Sequence, residues 1–161
     1  SNDFPQALEN LSGVLRFFSV GGEELGNVDM VAPLNLLPPN QSMPLIAYLP
    51  APPADWNTRR GRLLTAYVSS GAGRYINTEI QNEQIQINAS GLAAQVRGSV
   101  ILADGQVASS IWVLAVAYDA DGVVVGHRRW ESDGATLDFD FFGYSVGPEL
   151  NSVSVLAEAR P

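Results

Sequence analysis

The sequence predicts an all-β protein, an antiparallel sandwich, on three observations. Short runs rich in Val, Ile, Leu, Phe and Tyr alternate with polar residues at period two, the spacing that sets one face of a strand against a core. Turn residues separate these runs at roughly even intervals: Gly21-Gly22, Pro38-Pro39, Asp104-Gly105, Asp121-Gly122, Ser132-Asp133-Gly134 and Gly147-Pro148. Helical spacing of apolar residues is scarce, and only Asp3 to Asn10 is expected to form a turn of helix.

Local chemistry justifies each element in turn. Residues 7–20 (ALENLSGVLRFFSV) end in a strand-like run, Gly21-Gly22 turns the chain, and Glu24 to Val31 returns as the partner strand. Leu34 to Asn40 contains Pro38-Pro39 and reads as a loop or an edge, because proline has no N–H for a ladder. Met43 to Leu49 reads as a strand, and Pro50 to Asp55 as a stiff polyproline-like passage. Arg62 to Ser69 is strand-like, and Ser70 to Gly73 is a break of small residues. Tyr75 to Ile80 and Gln84 to Asn88 alternate, and Gln95 to Ala103 is a longer strand closed by Asp104-Gly105. Thr136 to Phe142 alternates cleanly, and Asn151 to Ala159 is the final strand.

The stretch Ile111 to Trp130 (IWVLAVAYDADGVVVGHRRW) organises the rest as a β-hairpin. Aspartate side chains bond backbone two residues on, and Gly122 supplies the positive φ that closes a short hairpin with a bulge. Trp112, Leu114, Val116 and Tyr118 share one face of the first arm; Val113, Ala115 and Ala117 share the other. The bulky row is expected at the core. The alanine row is then left for a neighbouring unit or thinly covered solvent.

Sliding the chain by one hundred residues exposes an internal correspondence. Phe18 meets Tyr118, Ser19 meets Asp119, Gly22 meets Gly122, Leu25 meets Val125 and Gly26 meets Gly126. In a shorter register MPLIAYL resembles LDFDFFGY, and RLLTAYV resembles NSVSVLAEA. This predicts two related units in tandem, 1–70 and 71–161, the first incomplete because it lacks the strands that precede Gly105. Its sheet then exposes unpaired backbone. Either residues 74–90 cross back to cover it, or a second chain does so by strand addition.

The 161 residues are 46% apolar, enough for a real core, and 16% charged. A net charge of −8 argues against nucleic acid and against an anionic membrane surface. No apolar run approaches the ~20 residues of a membrane span. Cysteine is absent, which removes disulfides, thiolate metal sites and cysteine nucleophiles. All nine basic residues are Arg, so Schiff bases, Walker lysines and lysine crosslinks are excluded. The opening Ser1-Asn2, without Met, has the look of a processed or cloned fragment and is set aside in fold reasoning.

Residues 95–126, QVRGSVILADGQVASSIWVLAVAYDADGVVVG, resemble the FxLYD-type domain of bacterial and archaeal surface proteins. Gly98, Val100, Asp104-Gly105, Val113 to Val116, Tyr118-Asp119-Ala120 and Gly122 fit its pattern. The Phe that precedes L-Y-D in that family is missing. The family's Pro-Gly-x-x-x-Phe after the return is replaced by Asp133-Gly134 and Phe139 or Phe141. The resemblance implies an immunoglobulin-like sandwich, outside the cytoplasm and beside other modules, with no catalytic residues to carry over.

Candidate chemistry is thin. Gly143-Tyr144-Ser145-Val146-Gly147 satisfies the G-x-S-x-G nucleophile pattern, but Pro148 and a strand follow where a helix is needed. The only histidine, His127, would have to serve it. Asp138 and Asp140 share a face, as paired carboxylates do, yet alternation with Leu137, Phe139 and Phe141 marks a solvent face. Asp119 and Asp121, with Asp104 or Asp133, are weak calcium candidates, and turn chemistry explains both without metal. In His127-Arg128-Arg129-Trp130, residues 127 and 129 face opposite to 128 and 130. Arg there is expected to lace a sheet face to a nearby acidic strand. Sequons stand at Asn10, Asn40 and Asn88.

The expected function is a non-enzymatic, extracytoplasmic module, a spacer or protein-interaction domain that needs no cofactor. Its expected surfaces are the alanine row, an exposed sheet edge and the acidic loops. The alternative is a carbohydrate-binding module using Trp56, Trp130 and Arg128. A hydrolase on Ser145 and His127 is the third and weakest reading.

Overall fold

A computed structural model describes residues 1–70, 73–103 and 105–161. All ten elements among them are β-strands, and every named pairing is antiparallel. The chain divides into two compact units, Ser1–Ser70 and Gly71–Pro161.

The first unit is one sheet. β1 (Leu8–Phe18) pairs with β2 (Glu24–Val31), with the two-residue β3 (Leu36–Leu37) and, on its other side, with β4 (Thr58–Val68). No helical turn forms at Asp3 to Asn10, because β1 begins at Leu8. Nor is Met43 to Leu49 a strand: it makes a single bridge, Ile46 to Val31, with Pro44 and Pro50 limiting any ladder. This irregular passage lies over one face of the sheet. A side chain at Gly13 would meet Leu45, one at Gly26 would meet Pro53, and the Trp56 ring stands edge-on to Phe17 at 5.7 Å.

The second unit is a sandwich of two sheets. One has the order β5-β6-β9, from β5 (Thr78–Ile87), β6 (Ala93–Leu102) and β9 (Asp138–Tyr144); the other has the order β10-β7-β8, from β7 (Ser110–Tyr118), β8 (Val124–Ser132) and β10 (Ser152–Arg160). Residues 74–90 therefore do not cross back: they supply β5, paired with β6 inside their own unit. The two alternating runs expected there form one strand, and a bulge at Asn82 (φ 55°) carries the ladder across the polar interval between them. Asp104, expected to close β6, lies outside the described residues, and Gly105 beside it has a φ of 75°.

The face assignment of β7 is the reverse of the expectation. Ile111, Val113 and Ala115 pack into the inter-sheet core with Val96, Val100, Phe139 and Ala159, while Ala117 joins Ala94, Val125 and Leu150. The alanine row is thus the inner row and offers no binding surface. Small residues belong there because the sheets come close: at Gly126 on β8 a methyl would collide with the carbonyl oxygen of Tyr144 on β9. On the opposite face Leu114 and Val116 are also fully buried. Bulk therefore does not distinguish the two faces of a strand buried on both.

The two hairpins share one register. Phe17 pairs with Gly26 and Phe18 with Glu24 across a bulge; Ala117 pairs with Gly126 and Tyr118 with Val124 across another. In the turns, Gly22 N–H donates to the Ser19 carbonyl and Gly122 N–H to that of Asp119, with φ of 84° and 75°. The Ser19 hydroxyl accepts from Glu23 N–H, as the Asp119 carboxylate accepts from Val123 N–H.

Candidate functional site

The hairpin turn accounts for the calcium candidates. Asp119 Oδ1 accepts from the N–H of Asp121 (3.0 Å) and of Val123 (2.8 Å), so this carboxylate is committed to the bend. Among the described residues no group of three or more carboxylates and imidazoles could hold a metal ion. Asp133 is likewise a turn residue, accepting from Ala135 N–H.

Ser145 is held in a turn. Its hydroxyl donates to the Pro148 carbonyl and accepts from Gly147 N–H at 3.1 Å. A nucleophile needs that proton taken by a base, and among the described residues no hydrogen bond joins Ser145 to His127. Partial burial holds the His127 imidazole below its ordinary value, so the ring is neutral near pH 7.

The aromatic candidates are tied to hydrophobic neighbours. Trp130 pairs with Val113, faces the inter-sheet core, and lies 6.2 Å from the Phe139 ring. Trp56 belongs to the first unit and keeps about a third of its surface exposed (37%) against Phe17. Arg128 is exposed and pairs with Ala115 at the edge of its sheet. Arg129, on the opposite face, pairs with Glu131 on its own strand at 2.5 Å. It also lies 4.3 Å from the Trp112 ring, which Arg160 approaches at 4.6 Å while pairing with the buried Glu158. The acidic partners are thus sheet neighbours at i+2 or i−2. These stacked guanidinium–indole contacts tie the three strands together.

The outer face of the β5-β6-β9 sheet holds residues that were not singled out. Gln81, Gln84 and Gln86 of β5 pair with Ser99, Arg97 and Gln95 of β6, which pair in turn with Asp138, Asp140 and Phe142 of β9. Asp140 accepts from Gln95 (2.7 Å) and Arg97 (3.0 Å), and Asp138 from Ser99 (2.6 Å). Asp140 is therefore ion-paired to Arg97 and Asp138 hydrogen-bonded to Ser99 on the solvent face, and the two carboxylates are not paired with each other. Beyond them Phe142 and Tyr144 are 49% and 61% exposed on the same face. The signal was available: in DFDFFGY the alternation breaks at Phe141-Phe142, so period two carries an aromatic onto the aspartate face.

The sequons differ in their surroundings. The Asn88 side-chain oxygen accepts from the N–H groups of Leu92 and Ala93, which builds the β5–β6 turn, whereas Asn10 and Asn40 are exposed with φ of 54° and 59°. No helix among the described residues is long and apolar enough to cross a membrane.

The class these features define is an all-β protein with a two-sheet sandwich in its second unit. Comparison with known proteins found no matching family model, curated protein or solved structure.

Proposed function

We propose that the chain is a non-enzymatic β-sandwich module that acts outside the cytoplasm, as a spacer and protein-interaction domain of a larger surface or secreted protein. The observation that carries this reading is the 11-residue strand β4, nearly all of it exposed and, among the described residues, paired with β1 alone. Long bare edges recruit further strands. The order β5-β6-β9 facing β10-β7-β8 supports an immunoglobulin-like arrangement, in keeping with the FxLYD resemblance. The matching hairpin registers support two related units, the first without a second sheet. The reading needs no cofactor.

Protease shaving of intact cells of the native host tests it. Peptides from this chain are expected in the shaved fraction. Recovery only after lysis overturns the extracytoplasmic assignment.

A second reading, a carbohydrate-binding module, is favoured by Phe142 and Tyr144 rather than by the tryptophans. Two exposed rings beside a field of glutamines offer apolar faces with paired donors and acceptors, which suit the C–H faces and hydroxyls of a neutral sugar. Affinity electrophoresis against soluble polysaccharides is its test. Retardation that weakens at least about tenfold in Phe142→Ala and Tyr144→Ala supports it, and no retardation by any glycan removes it.

A further inference from the structure

Three arginines of the first sheet stand together on one of its faces. Arg16 of β1 lies directly opposite Arg60 of β4, and Arg62 follows two residues along, opposite Val14. The ladder has no register shift between Gly13 and Phe18, so Phe18, Arg16, Val14, Arg60 and Arg62 project to the same side. Like charges set directly opposite destabilise a sheet, and little here offsets them. Arg60 and Arg62 are exposed and have no carboxylate partner among the described residues. Arg16 reaches Glu24 only at 3.5 Å, and its Nε is buried without an acceptor among the described residues. Asp29, the second carboxylate of β2 on this face, pairs with Val14 and so lies a full strand away from Arg62. No Asp or Glu occurs between Trp56 and Thr78, although the chain as a whole carries a net −8.

From this cluster we infer that Arg16, Arg60 and Arg62 form a binding site for a phosphate group, free or as a monoester on a larger molecule. Opposed side chains start about 5 Å apart and a two-residue step adds about 7 Å, so three arginine side chains can close on one group. Charge selects the ligand. With Arg16 offset by Glu24, Arg60 and Arg62 leave two positive charges, and a phosphate monoester carries about −1.5 to −2 near pH 7. A carboxylate brings a single charge and two oxygens, which one guanidinium fork satisfies; a phosphate has oxygens for more than one fork. The Arg60 guanidinium lies over the Phe18 ring, 5.2 Å from its centroid, a stack that positions it and consumes no N–H donor. Arg16 supplies the third fork. A buried charged donor without an acceptor is costly, and turning this half-exposed side chain toward a phosphate oxygen relieves that cost. The inference goes beyond the interaction-module reading and does not depend on it.

Titration of the full chain with inorganic phosphate in low-salt buffer near neutral pH tests this, read by NMR of the arginine Nε–H groups. Saturable shifts at Arg16, Arg60 and Arg62 are expected, with half-saturation at about 1 mM or below. Arg60→Gln and Arg62→Gln are each expected to weaken binding at least about tenfold. Arg59→Gln is the control: it removes the same charge from the opposite face of the same strand and is expected to change binding less than about twofold. Arg59, Arg60 and Arg62 are all exposed, and circular dichroism confirms that each variant keeps its strands. Acetate is expected to bind at least about tenfold more weakly than phosphate. Glycerol 1-phosphate separates the two sources. Tighter binding than inorganic phosphate assigns the site to a phosphate carried by a larger molecule, equal or weaker binding assigns it to the free anion, and either supports the inference. No saturation by about 20 mM phosphate, equal losses in Arg59→Gln and Arg60→Gln, or acetate binding as tightly as phosphate overturns it.

Discussion

Phe139→Ala is expected to cost about 3–5 kcal/mol of folding stability, the range for removing a buried aromatic ring. A domain's whole margin is about 5–15 kcal/mol, so the second unit would unfold early in urea or not fold at all. The size of the effect follows from position. Phe139 is 3% exposed and pairs with Gly98, where a Cβ would lie 2.7 Å from the Phe139 ring, so no neighbour can rotate in to fill the space. Trp130 and Phe141 flank the ring at 6.2 and 6.0 Å, and Val96, Val100 and Val113 close the rest of the core. These are β-branched residues on paired strands, whose side chains are stiff at χ1, so the cavity cannot collapse. Phe142→Ala is the control. It sits three residues on, 49% exposed on the opposite face, and is expected to cost about 0.5 kcal/mol or less. The test is urea unfolding followed by tryptophan fluorescence, with Trp112 and Trp130 both in the second unit. Near-equal midpoints for the two variants would show that the core is not where the two sheets meet.

The hairpin was legible because its determinants are local. A carboxylate two residues before Asp121 N–H, a glycine at the positive φ and flanking β-branched runs act within a dozen residues, and they produce the observed turn. The orientation of β7 was not legible. Period two says which residues share a face but not which face meets the second sheet. The usual choice of the bulkier row fails where both faces are buried and where the inner row must be small to admit a close sheet. The stretch Met43 to Leu49 has strand composition, yet Pro44 and Pro50 deny it donors and only Ile46 pairs. The aromatic candidates differ in surroundings: Trp130 packs on the inter-sheet core, while Trp56 keeps 37% of its surface exposed. Large amphipathic rings suit both a ligand surface and a core, and residue type alone does not say which of the two a tryptophan serves. Phe142 and Tyr144 reach solvent because their places on β9 continue the row of Asp138 and Asp140.

The matching registers of the two hairpins permit a paired experiment on their two bulge glycines. Gly126→Ala is expected to destabilise by about 3 kcal/mol or more, a severe case of overpacking. Gly26→Ala, one hundred residues earlier at the matching step of its own hairpin, is expected to cost about 1 kcal/mol or less. Both positions follow a register shift, and neither has a positive φ, so backbone freedom does not separate them. What separates them is what passes overhead. At Gly126 the added methyl would strike the Tyr144 carbonyl oxygen. That segment is pinned by Ser145 N–H to the Leu92 carbonyl (3.0 Å) and Val146 N–H to the Val125 carbonyl (2.9 Å), so it retreats only by breaking hydrogen bonds. At Gly26 the methyl would meet the Pro53 ring at 3.3 Å, a side chain in an irregular passage with no strand pairing to lose. A shift of a few tenths of an ångström relieves the contact there. Thermal unfolding of the two single variants and the double variant separates the contributions. If Gly26→Ala proved as damaging as Gly126→Ala, the passage over the first sheet would be as rigid as a second sheet, and the first unit would be a complete sandwich in all but hydrogen bonding.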